Sequence, residues 1–270
     1  MMSEIKRISD IARRAGSMQL ERLGGERRVE YKDAWDIVTD VDRMCEEFIV
    51  SEIRKSFPGD DILAEEGERP TGRAGRRWIV DPLDGTVNYS HGFPIFCTAI
   101  ASEADGELEC GVIFDPSRGE LFSAERGKGA KLNGARMSVS STPSLDKALL
   151  ATGFAYSVHR EDGLTNLENF GNFARRAGAV RRPGSASIDQ AWVACGRVDG
   201  FWEMFLKPWD LAAGVCIMRE AGGTVTSFDG SAFDLYGTEI LASNGKIHDE
   251  MTGVLRIAES SRAKGQRGDA

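Results

Sequence analysis

The run "RRWIVDPLDGTVNYSHG", residues 76–92, constrains this chain more than any other stretch. Trp78, Ile79 and Val80 read as a buried strand. That strand ends on two carboxylates, Asp81 and Asp84, with Pro82 between them and Gly85-Thr86 directly behind. Like charges so placed repel unless something neutralises them. Asp81-Pro82 opens a turn on the plain reading. On the other reading the two carboxylates face a cation. Gly85 then matters as well, because it lets backbone N–H groups approach an anion, and a helix starting there points its positive end at it.

The chain has 270 residues, enough for one large domain or two packed halves. Net charge is −8 with no basic stripe, which argues against a nucleic-acid partner. The short cluster "GRAGRR" (72–77) reads as a solvated loop. No apolar run reaches membrane-spanning length, and residues 1–20 have helical periodicity with internal charges rather than a signal-peptide core. The expected location is therefore the cytoplasm, with no membrane partner. Five cysteines are scattered without a C-x-x-C pair, as expected for reduced core thiols.

Apolar spacing predicts a first helix over 3–22 and a second after "DIVTDVD", ended by "FPGD". Strands are expected at 62–64, 78–80, 95–102, 108–114 and 120–125, followed by a hairpin about Asn133-Gly134 and a strand in "KALLATGF". Past residue 160 the pattern predicts helices over 163–177 and 186–196, then the strand "GFWEM". A helix from Trp209 to Ala221, ended by Gly222-Gly223, comes next. The strands "TVTSF" and "EILAS" and a helix over 247–258 complete the fold, and the polar tail 259–270 reads as disordered. Elements arrive in blocks rather than strict alternation, which predicts an α+β class. Residues 1–258 are expected to form one domain of two packed halves, about 1–150 and 151–258.

Acidic residues recur at three further places: Glu65-Glu66 in "AEEG", Asp210 in "KPWDLAAG", and Asp36, Asp40 and Asp42 in "DIVTDVD". Each has a plain alternative as a cap or a solvated loop. The three histidines, His91, His159 and His248, are too scattered for a zinc or iron set. Any metal bound here would have oxygen ligands, which suits Mg²⁺ or Mn²⁺. Carboxylates for a cation beside amides for a phosphate imply metal-assisted phosphoryl transfer to water, with two metals about 4 Å apart.

"WIVDPLDGTVNYSHGFPIF" and "PWDLAAGVCIMREAGG" resemble the two signatures of the inositol monophosphatase family. "AEEG" and "KDAWDIVTDVD" match two shorter segments of the same family, and the resemblance covers roughly residues 3–258. It implies a layered αβαβα sandwich, a homodimer, and a Mg²⁺-dependent, lithium-sensitive phosphatase with two or three ions per site. The implied metal ligands are Glu65, Asp81, the Leu83 carbonyl, Asp84 and Asp210. Glu65 and Thr86 match the pair that activates water, with Asp42 behind Thr86. Asp84, Gly85, Thr86, Ala186, Glu203 and Asp210 match substrate contacts. Leu83, Asp33 and Ser187 depart slightly from the family pattern. The implied partner is a small phosphorylated metabolite, inositol 1-phosphate first. Histidinol phosphate is the alternative, followed by fructose 1,6-bisphosphate and 3′-phosphoadenosine 5′-phosphate. A catalytically idle regulatory dimer is the reading from another class, and such a protein should have lost a ligand.

Overall fold

Period-2 alternation along the strands decides the layering. In β4 (Arg76–Asp84), Trp78 and Val80 point to one side and Ile79 to the other. The first side is closed by α1 (Glu4–Arg22) and α2 (Asp40–Ser56), which bury Ile8, Ile11, Ala15, Ile49 and Ile53 against the strand. Opposite lie α5 (Ala186–Ala194) and α6 (Pro208–Glu220). Every α6 residue from Leu211 to Met218 is buried. A helix apolar all round has no face for water, so it must lie between two layers. Gly111 lets α6 come close, since a Cβ there would stand 2.7 Å from the Ala213 carbonyl.

The sheet that carries β4 has seven strands in chain order. They are β3 (Asp61–Ala64), β4, β5 (Cys97–Ala104), β6 (Glu107–Asp115), β7 (Glu120–Glu125), β8 (Ala130–Leu132) and β9 (Ala135–Arg136). The second sheet has five strands, in the order β11 (Ala179–Arg181), β10 (Leu149–Thr152), β12 (Gly200–Met204), β14 (Glu239–Ser243) and β13 (Thr224–Thr226). In β12, Phe201 meets α5 and α6, whereas Trp202 and Met204 turn outward. The outward pair packs on α4 (Leu167–Ala174) and on α7, helical over 248–256. The order of layers is therefore helices, seven strands, helices, five strands, helices. This is the expected αβαβα sandwich.

The computed structural model describes residues 3–25, 29–31, 37–67, 75–155 and 165–256. Lys32, Asp33, Asp36, His159, residues 72–74 and the 259–270 tail lie outside the described residues. Two strand pairings were not anticipated. β1 (Val29–Tyr31) and β2 (Ile37–Thr39) form a two-stranded ribbon, and β11 adds an edge to the second sheet. All three are three-residue strands, too short for a periodic signal. The helices expected over 163–177 and 186–196 are shorter than predicted, ending at Ala174 and Ala194. The five cysteines are free thiols, four of them buried, as expected. Among the described residues no helix is long and apolar enough to cross a membrane.

Candidate active site

The acidic loop is not a loop after a strand but the bent end of β4. Asp81 pairs with Ala99 and Asp84 with Cys97, so three steps on β4 face two on β5. That is a bulge, and Pro82 sits in it, lacking the N–H that a ladder would need. The bend is pinned from both sides. The Pro82 carbonyl accepts from Gln19 Nε2 of α1 at 2.8 Å and from Thr98 Oγ1 at 3.1 Å. The Leu83 carbonyl turns the other way and accepts from Thr86 Oγ1 at 3.1 Å, while the Leu83 amide donates to Asp81 Oδ1 at 3.0 Å. Gly85 follows at φ +94°, where a Cβ would stand 2.9 Å from the Ile95 carbonyl. That left-handed turn starts the short helix α3 (Thr86–Ser90).

Other elements bring the remaining carboxylates to this bend. β3 runs parallel to β4 with Ala64 beside Val80, so Glu65 and Asp81 are the next residues of two adjacent strand ends. Asp210 lies in the first turn of α6, where its Oδ2 accepts from the Lys207 amide at 2.7 Å. The capping role open to Asp210 from sequence is thus filled. Asp42 lies in the first turn of α2. It accepts from Thr86 Oγ1 at 2.8 Å and from both the amide and the hydroxyl of Thr39. Asp84 Oδ2 accepts from Ser185 Oγ at 2.6 Å and from the Ser187 amide at 2.7 Å, both at the start of α5.

Charge ties these groups together. Burial pushes the Asp81 carboxyl well up, and the charges of Glu65, Asp84, Asp210 and Asp42 push it further. Asp210 is raised well above its ordinary value by burial, then by Asp84 and Glu65. Burial also raises Asp84, against the pull of the hydrogen bonds from Ser185, Ser187 and Ala186. Among the described residues no group of three or more His, Cys, Asp or Glu side chains is arranged to hold a metal ion as it stands. Asp81 and Asp210 nevertheless each feel the charges of Glu65 and Asp84, and Asp81 feels that of Asp210. An all-oxygen anionic set of this kind fits a hard divalent cation, which would remove the repulsion.

A second group of residues lies beside Asp84. Glu203, two positions after Phe201 in β12, shares its inward direction. It is buried and pushed up to about 8, by burial first; the Arg182 guanidinium opposes this and Asp84 adds to it. Gly153 makes room, since a Cβ there would fall 2.2 Å from Glu203 Oε1. Ala186 opens α5, buried. Sequence reasoning missed Asp189, one helical turn on. It is buried, its Oδ1 has no hydrogen-bond partner among the described residues, and burial and Glu203 push its carboxyl well up. The sequence signal was weak, an acid in the run "ASIDQAWVA" where Ser187 and Gln190 are polar as well. Ser185 was also missed, though a serine before a helix is an N-cap signal.

A family model described as the inositol monophosphatase family matches residues 1–262. The chain belongs to the inositol monophosphatase family. Nus factor SuhB of Pseudomonas aeruginosa is 45% identical over 245 residues, covering 87% of this chain and 89% of that protein. The inositol-1-monophosphatase of Synechocystis sp. is 43% identical over 251 residues, covering 89% and 84%. The crystal structure of the extragenic suppressor protein suhB from Bartonella henselae superposes with a TM-score of 0.88 at 38% identity, covering 93% of this chain and 97% of that one. Membership in the inositol monophosphatase family supports phosphatase activity. The relatives' names differ in kind, one a Nus factor and one an enzyme, so membership alone does not fix the ester.

Proposed function

We propose that this chain hydrolyses a small phosphate monoester, inositol 1-phosphate first, as a Mg²⁺-dependent phosphatase. The observation that carries the reading is the convergence of Glu65, Asp81, Asp84 and Asp210 from β3, β4 and α6 beside the Gly85-Thr86 turn, where Asp81 and Asp210 feel the other carboxylates. These four carboxylates, with the Leu83 carbonyl, would hold the ions; Mn²⁺ could replace Mg²⁺. When bound, Mg²⁺ neutralises phosphate charge and acidifies the attacking water.

The chain's own groups do the rest. The Gly85 and Thr86 amides bind phosphate oxygens. Thr86 Oγ1 gives its hydrogen to Asp42 or to the Leu83 carbonyl, which leaves a lone pair to accept from the attacking water. The Glu65 carboxylate takes that water's proton as its oxygen attacks phosphorus, and the P–O bond to the alcohol breaks on the opposite side, the leaving alkoxide taking a proton from solvent. Glu203 and Ala186 meet the alcohol part, Glu203 through a hydroxyl of a polyol. Histidinol phosphate is the alternative, with Glu203 facing its ammonium group. In this reading residues 1–258 form one phosphatase domain that works as a cytoplasmic homodimer. The enzyme is preferred over a regulatory dimer because all four carboxylates and Thr86 are present.

The test is phosphate release with Mg²⁺, compared as kcat/KM over inositol 1-phosphate, histidinol phosphate, fructose 1,6-bisphosphate and 3′-phosphoadenosine 5′-phosphate. The expected order puts inositol 1-phosphate first. No release from any ester would leave the regulatory reading.

A further inference from the structure

Helix α2 carries a second buried carboxylate that no step above uses. Glu46 follows Asp42 by four residues, so both lie on the same buried face, one turn apart. Asp42 grips Thr86 at 2.8 Å. Glu46 Oε2 accepts the backbone N–H of Glu66 at 2.7 Å, and so grips the turn that carries Glu65. Gly67 closes the contact, since a Cβ there would stand 3.3 Å from Glu46 Oε1. On the far side, a cavity of about 480 Å³ runs between Glu46, Val50, Arg54, Lys55 and Gly67.

We infer that Glu46 is a positioning residue for Glu65. One rigid helix face, through Asp42 and Glu46, sets the separation of Thr86 and Glu65, the two groups that share the attacking water. A glutamate shifted by 1 Å would no longer reach that water's proton, and such misplacements are costly in rate. The inference rests on the water-activating role proposed for Glu65 and Thr86.

The experiment compares Glu46→Ala, Glu46→Gln and Glu46→Asp with the parent chain in two measurements. One is backbone amide exchange at Glu66 in metal-free protein. The other is kcat and KM for inositol 1-phosphate at saturating Mg²⁺. In Glu46→Ala, Glu66 should exchange at least about tenfold faster. Its kcat should fall about ten- to a hundredfold, with KM within about threefold. Glu46→Gln keeps an acceptor oxygen and should recover most of both. Glu46→Asp keeps the charge but falls one methylene short, so it should resemble Glu46→Ala and stands in for it if the alanine variant does not fold. Faster exchange with parent kcat overturns the positioning role, as does a fully active Glu46→Asp. Unmoved exchange at Glu66 in Glu46→Ala overturns the grip itself. Glu65→Gln, measured alongside, separates the two layers of the claim. Unchanged kcat there removes the water-activating role of Glu65. Lost kcat there with parent kcat in Glu46→Ala removes only the part assigned to Glu46.

Discussion

Asp84 and Glu203 are acids at strand ends of different sheets, and the fold holds them in opposite ways. Asp84, at the end of β4, receives a serine hydroxyl and a backbone amide from α5. Those donors favour the ionised form and counter the effect of burial. Glu203, in β12, is buried in the same central layer, and burial dominates, pushing it up to about 8. Asp84 thus has donors that favour its charged form, as a cation needs, although burial still raises it. Glu203 presents a carboxyl near the point where it donates or accepts a hydrogen bond. The first suits the chemistry common to any phosphate ester, and the second suits discrimination among alcohols.

Substitutions on the two sides should therefore fail differently. Asp84→Asn should lower kcat by about a thousandfold on every ester, because several kcal/mol of charge stabilisation depend on the ion. A loss confined to one ester would break the comparison. Thr86→Ala should lower kcat about ten- to a hundredfold on all esters, through poorer orientation of water. Glu203→Ala should lower kcat/KM for inositol 1-phosphate by about ten- to a hundredfold, the equivalent of leaving a buried hydroxyl unsatisfied at roughly 1–3 kcal/mol. Nitrophenyl phosphate, which lacks the hydroxyl, should be nearly unaffected. Equal losses on both would make Glu203 structural. Gly153→Ala should act in the same selective direction but more weakly, since the added methyl displaces the end of the flexible Glu203 side chain.

The smallest effect concerns stability of the metal-free protein. The Glu203 carboxyl is raised from 4.5 to about 8, so between those values the folded state binds more protons than the unfolded one. Stability should then fall as pH rises across that window. Glu203→Gln removes the titration and should flatten the dependence of Tm on pH from 5 to 8, by on the order of 5 °C. An unchanged slope would show that Glu203 is not the group responsible.

Much of this was legible in the sequence because strong patterns carried it. The apolar stripe of α1, the unbroken apolar run Leu211–Met218 in α6 and the short alternating strands each declare their environment, and together they force a layered fold. The bend of β4 was legible in Pro82 and Gly85, which tolerate few other geometries. Asp189 and Glu46 were not, because a buried acid inside a helix looks like any surface acid until its neighbours are known. Gln19 was hidden for the same reason. It lies on the apolar face of α1, and only the fold places the Pro82 carbonyl in front of it. The strand β11 and the ribbon of β1 and β2 depend on partners distant in sequence or too short to show a period.

Glu65, Asp81, Asp84 and Asp210 are proposed to hold the divalent ions on which hydrolysis depends. Phosphate release from inositol 1-phosphate, followed through removal of divalent ions by a chelator and then addition of Mg²⁺, tests this most directly. The account predicts that release stops with the chelator and returns with Mg²⁺. Release that continues at full rate in excess chelator would contradict it.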